Sequence, residues 1–143
     1  KQLQLAEKHK IPVIIHNREA TKDIYDILKK YKLKGVIHAF SGSYESANLF
    51  IKLGYKLGIG GVVTFKNSNL KDVIKKISIK DILLETDSPY LTPEPNRGKR
   101  NDPTNLKYIV TKIAEIKEMD EEEVKTVTTN NAIELFDLNI KIC

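Results

Sequence analysis

Three residues of the chain stand where a metal-assisted reaction could be run: His16, His38 and Asp87. Each follows a short apolar run. Ile11-Pro12-Val13-Ile14-Ile15 leads to His16, Gly35-Val36-Ile37 to His38, and Ile82-Leu83-Leu84 leads through Glu85-Thr86 to Asp87. Neutral imidazole is the commonest side-chain metal ligand near neutral pH, and a carboxylate beside a cation-activated water can accept its proton. Asp87 thus combines two candidate roles, metal ligand and general base. Plainer readings stand beside these. A histidine at a strand end is more often structural or exposed than ligating, and Asp87 could instead cap the turn that follows it. Equivalence of position favours the metal: His16 and His38 close consecutive strand–helix units, so their side chains can converge over one rim. Imidazole with carboxylate suits Mg²⁺, Mn²⁺ or Zn²⁺ and does not choose among them.

Other residues could serve this site. Glu85 lies two residues before Asp87, on the same face of the strand but deeper. There it needs a partner, Arg18 or another strand-end donor, and it reads as a support or a structural residue. Arg18, two past His16, could bind an anionic substrate or make a salt bridge. Arg97, Lys99 and Arg100 place three cations within four residues. Phosphate contacts are one use for them; a solvated loop that also holds Glu94 and Asp102 is the other. Gly42 and Gly60-Gly61 permit close backbone approach but form no phosphate-loop pattern. His9 reads as a surface residue, and Cys143 has no assigned role.

The elements that must position these residues follow from periodicity. Residues 2–10 carry one face of an amphipathic helix, and the strand ending at His16 follows. A helix over about 21–31 aligns Ile24, Ile27, Leu28 and Tyr31. Gly35 opens the His38 strand. Ser41-Gly42-Ser43 caps a third helix with Ala47, Phe50, Ile51 and Leu53 inward and Gly54 as its stop. Tyr55 to Gly60 is the third strand. Asn69 caps a short helix bearing Leu70, Val73, Ile74 and Ile77, which leads into the strand before Asp87.

Pro89 stops that strand, since it restricts Ser88 to extended geometry and has no backbone donor. Four of the five prolines (Pro89, Pro93, Pro95, Pro103) then fall in one long loop. A structureless stretch of that length is usually functional or disordered. Asp102-Pro103 starts a helix lined by Leu106, Ile109, Val110 and Ile113. Asp120 with Glu123 resembles a capping box, and Asn130 is expected to open a last helix with Ile133, Leu135 and Phe136 buried. Strand and helix alternate, with strand ends near 16, 38, 60 and 87. That is the pattern of a parallel α/β sheet, here about four βα units plus C-terminal helices.

Composition sets outer bounds. At 143 residues the chain is one domain by length (residues 1–143), short of the ~250 of a complete α/β barrel. Its start at Lys1, inside an apparent helix and without Met, reads as a beginning in mid-fold. Apolar runs of about five residues are far below a membrane span. The single cysteine excludes an internal disulfide. The net charge of +5 tolerates an anionic partner without requiring one. A cytoplasmic location is expected, with the nucleus open.

Several segments closely resemble the TatD family of metal-dependent deoxyribonucleases. They are Pro12-Val13-Ile14-Ile15-His16-Asn17-Arg18, His38-Ala39-Phe40-Ser41-Gly42, Gly58-Ile59-Gly60-Gly61 and Leu84-Glu85-Thr86-Asp87-Ser88-Pro89-Tyr90-Leu91. The loop Pro95-Asn96-Arg97-Gly98-Lys99-Arg100-Asn101-Asp102-Pro103 belongs with them, and the order and spacing are family-like. The resemblance implies a (β/α)8 barrel of the amidohydrolase superfamily and hydrolysis of DNA phosphodiesters by metal-activated water. It further implies that His16, His38 and Asp87 end the fifth, sixth and eighth strands as ligands of a two-metal site. The histidines would share one ion; Asp87 would hold the other and activate water. Arg18, Arg97, Lys99 and Arg100 would line the DNA channel. The family's first-strand His-x-His and its bridging glutamate have no counterpart in these residues. The chain therefore looks like the C-terminal half of the barrel. Two alternatives remain open: a superfamily enzyme cleaving an amide, ester or lactone, and a non-catalytic piece that needs the missing N-terminal half or self-association.

Overall fold

The computed structural model describes residues 1–140, so Cys143 lies outside the described residues. Helix α1 (Gln2–His9) precedes β1 (Val13–His16), α2 (Thr21–Leu28), β2 (Gly35–His38), α3 (Tyr44–Lys52) and β3 (Tyr55–Ile59). A 3-10 turn (Gly61–Thr64), α4 (Leu70–Lys76), β4 (Ile82–Leu84), the long loop, α5 (Leu106–Lys117) and α6 (Glu121–Phe136) follow. The four strands pair in sequence order, β1-β2-β3-β4, and every pairing is parallel. The expected four βα units are therefore present, and all strand carboxyl ends share one rim.

Register separates the two faces. Val13, Ile15, Ile37, Tyr55, Leu57, Ile59, Ile82 and Leu84 lie on the helix side. There Ile37, Leu57, Ile59 and Ile82 are fully buried against Leu28, Phe50, Ile74, Ile109 and Ile113. This is the main core, and it explains the continuous apolar runs. Ile14, His16, Val36, His38, Gly58 and Leu83 lie on the opposite face. On that face Val36 and Leu83 are covered by Leu135, Ala132 and Phe136 of α6. Ile14, on the β1 edge, has no such cover and is 65% exposed.

The helix ends largely follow sequence chemistry. Ser43 caps α3 by accepting from the Ser46 N–H, and Gly54 ends it with φ of 89°. Asp102 accepts from the Thr104 N–H at 2.8 Å, in a 3-10 turn (Pro103–Asn105) that runs into α5. Four expectations change. Helix α2 ends at Leu28, and Lys30 and Tyr31 continue with tighter bonds to the Ile27 and Leu28 carbonyls. The cap of α4 is Ser68, whose hydroxyl accepts from the Leu70 N–H, and Asn69 caps nothing with its side chain. Asp120 accepts from Glu122 N–H, one residue short of the capping-box position. Asn130 opens no helix: α6 runs unbroken for 16 residues. Its neighbour Asn131 turns inward and donates to the Ile79 and Ile82 carbonyls at 2.9 and 2.8 Å, tying α6 to the start of β4.

Candidate metal centre

His16 and His38 are register partners at the ends of adjacent parallel strands. Their ring centroids are 6.0 Å apart. Convergence of the two imidazoles, expected from their equivalent positions, is therefore realised. His38 is the better fixed. Its Nδ1 lies 2.9 Å from Glu85 Oε2, and its Nε2 lies 3.0 Å from Asp87 Oδ1. Burial pulls the His38 pKa down, but the hydrogen bonds and charge of Glu85, then Asp87, outweigh it and leave it raised.

Glu85 is positioned from below and behind. Its Oε1 accepts from the Ala39 N–H. A Cβ on Gly58 would fall 2.4 Å from Glu85 Oε2, so a side chain there would push the end of the carboxylate from its present place. Ala39 has φ of 48°, a left-handed conformation unusual for alanine, directly after His38. The partner of Glu85 is thus His38 together with a backbone amide, and Arg18 is not that partner. Glu85 has the strand-end donor that its inward position requires, and that donor is His38.

The donor types, imidazole and carboxylate, suit a divalent cation. His38 Nε2 and Asp87 Oδ1, 3.0 Å apart, are paired with each other, and an ion held by His38 would take the place of that contact. A histidine ligating through one nitrogen while the other is held by a carboxylate is the usual supporting arrangement of such sites. The set is nevertheless small: among the described residues no group of three or more His, Cys, Asp or Glu is arranged to hold an ion.

The cations sit on loops leaving the same rim. Arg18 is exposed and lines a cavity of about 320 Å³ with Asn17, Thr21, Phe40, Ser41 and Gly42. Asn17 donates to Thr21 Oγ1 at 3.0 Å, while its own Oδ1 is buried without a partner. The Arg97 guanidinium carbon sits over the Phe65 ring, 3.9 Å from its centroid. Lys99 and Arg100 are exposed, and Arg100 borders a groove with Ser88, Pro89 and Pro103. His9 is exposed, as expected.

The proline-rich loop is not structureless. Asn101 donates to the Tyr90 carbonyl at 2.7 Å, Asn105 to Asn101 Oδ1 at 2.9 Å, and Asn96 to Asn105 Oδ1 at 3.2 Å. Thr64, bonded to the Gly61 carbonyl at 2.7 Å, accepts from the Glu94 N–H at 2.9 Å. Asn101, Asn105 and Thr64 are buried. Sequence reasoning missed them; the spacing of Asn101 and Asn105, four apart at a helix start, was the available signal.

An open parallel α/β half-barrel with imidazoles and carboxylates on its carboxyl rim defines the class. The chain belongs to the TatD related DNase family, whose sequence profile matches residues 1–137. YabD of Bacillus subtilis, named an uncharacterized metal-dependent hydrolase, is 47% identical over 142 residues, covering 96% of this chain and 56% of that protein. YcfH of Escherichia coli K12, named likewise, is 36% identical over 141 residues, covering 96% and 53%. The crystal structure of YjjV, a TatD homolog from Escherichia coli K12, matches with a TM-score of 0.89 at 33% identity, covering 96% of this chain and 54% of that one. The chain spans about half the length of the curated relatives it matches. Its fold is the expected one: four parallel strands with helices, matching about half of a TatD-type barrel.

Proposed function

We propose that these residues form the carboxyl-terminal part of a metal-dependent phosphodiesterase acting on DNA, with His16, His38 and Asp87 as ligands. The observation that carries this reading is His38 held by Glu85 through Nδ1 with its Nε2 turned to Asp87. When bound, a divalent cation (Mg²⁺, Mn²⁺ or Zn²⁺, two in a complete site) supplies Lewis-acid polarisation of water and phosphoryl oxygen. Asp87 Oδ accepts the proton of the attacking water. Glu85 keeps the His38 ring in one orientation and favours the tautomer with its proton on Nδ1. Arg18, Lys99 and Arg100 bind backbone phosphates flanking the scissile bond, and Phe65 steadies the Arg97 guanidinium for the same task.

The test is hydrolysis of end-labelled single-stranded DNA by the full chain with Mn²⁺, beside Asp87→Asn. Cleavage that stops with chelator and in the variant is the expected result. Hydrolysis of an amide or lactone panel with DNA left intact would overturn the phosphodiester reading. No hydrolysis of either by the folded, Mn²⁺-supplied chain would overturn catalysis by these residues.

A further inference from the structure

We infer that Asn101 is a positioning residue: its buried amide clasps the turn that begins at Asp87 to the segment that carries Lys99 and Arg100. One side chain thereby holds the candidate proton acceptor and two candidate phosphate-binding cations in a fixed relation. The inference rests on the roles proposed above for those three residues.

The sheet does not fix Asp87. The Glu85 N–H still donates to the Ile59 carbonyl at 3.1 Å, and beyond it the chain leaves β3. It then turns, and the Tyr90 N–H donates back to the Asp87 carbonyl at 2.7 Å. Asn101 holds this turn from the far end of the loop. Its backbone N–H donates to the Pro89 carbonyl at 3.0 Å, and its Nδ2 to the Tyr90 carbonyl at 2.7 Å. Its Oδ1 accepts from Asn105 Nδ2 at 2.9 Å, which ties the clasp to the approach to α5. Arg100 directly precedes Asn101 and lines one groove with Ser88 and Pro89. The Lys99 carbonyl, one residue further back, accepts from Thr92 Oγ1 at 2.5 Å.

The position calls for asparagine. It needs a donor for a carbonyl and an acceptor for an amide on one short side chain, and aspartate lacks the donor. Asn101 is 2% exposed, so both bonds are made away from water, where they order their surroundings most. Its partners lie between residues 89 and 105, so the clasp owes nothing to the open edges of the sheet. Thr64 braces the other side of the loop through the Glu94 N–H, so loss of the clasp frees the turn without unravelling the loop.

Three equilibrium measurements on the full chain test it. They are Mn²⁺ binding by calorimetry, anisotropy of a labelled single-stranded oligodeoxynucleotide in chelator, and exchange of the backbone amide at position 101. Asn101→Ala should weaken Mn²⁺ and oligonucleotide binding together, each about tenfold, and speed that exchange. Asn101→Asp keeps the acceptor for Asn105, sets a carboxylate against the Tyr90 carbonyl, and should show the same double loss. Asp87→Asn should weaken Mn²⁺ alone, and Arg100→Ala the oligonucleotide alone. Asn131→Ala removes another buried amide, bonded to the Ile79 and Ile82 carbonyls, and should cost stability while leaving both affinities unchanged. Wild-type affinities in both Asn101 variants would overturn the inference and leave the proposed reaction standing. Loss of one ligand alone would overturn the coupling, and a double loss in Asn131→Ala would reduce it to stability. Fast exchange of the position 101 amide in the wild type would overturn the clasp whatever the variants do. A folded wild type that binds neither Mn²⁺ nor the oligonucleotide would overturn the proposed site and this inference with it.

Discussion

Carboxylates hold both ring nitrogens of His38, and the two are not equivalent. Glu85 is fixed on three sides, by the ring, by the Ala39 amide and by the space over Gly58. Asp87 lies three residues past the end of β4 and is freer to turn toward a cation. Removing the charge of Glu85 should loosen the ring. Glu85→Gln is expected to weaken Mn²⁺ binding about 10–100-fold, read by calorimetry; an affinity equal to wild type would remove Glu85 from the support of the site. Gly58→Ala forces a methyl to 2.4 Å from the same carboxylate. It should cost about 1–3 kcal/mol in urea unfolding, and less in a Glu85→Ala background, because the two sites share one clash. Additive losses would contradict that account. The rim positions of His16, His38 and Asp87 were legible in the sequence because each closes or follows an apolar run. The partner of Glu85 was not, since choosing His38 over Arg18 requires the strand register and the gap over Gly58.

Elements show the same division. The strands and most helices follow from apolar periodicity, and the Ser43 cap and Gly54 stop were visible as residue types at helix ends. The loop after Asp87 was opaque, because its order comes from buried amide side chains and not from repeating backbone bonds. Asn105 links that loop to α5 through Asn101 and Asn96. Asn105→Ala leaves those groups without partners and should cost about 1–3 kcal/mol. Limited proteolysis should then cut between residues 88 and 102 first, and an unchanged cleavage pattern would refute the pinning. At the start of β4, burial raises the Asp81 pKa, with Lys56 opposing. The folded state therefore disfavours the charged form, so Asp81 costs stability above its folded pKa. That cost fades as pH falls through the folded pKa and is gone below the unfolded value. Asp81→Asn should raise the free energy of urea unfolding at pH 7, by less than about 1 kcal/mol after solvent screening. The gain should shrink at pH 4; a gain independent of pH would exclude this cause.

For the whole molecule, strand order was the most legible property: four apolar runs separated by amphipathic helices admit a sequential parallel sheet almost by default. How the inner face is covered was not legible, because it depends on where α6 crosses. The break expected at Asn130 would have stopped α6 before Leu135 reached Val36 and Leu83.

Sequential strand order also has a kinetic meaning. Each strand meets its sheet neighbour across one intervening helix, so every ladder closes a short loop at small entropic cost. The exception is α6, whose Asn131 reaches back 52 and 49 residues to Ile79 and Ile82. Zipping of the four βα units should come early and the docking of α6 late. Substitutions along the strands would then slow refolding, while loss of the Asn131 amide would chiefly hasten unfolding.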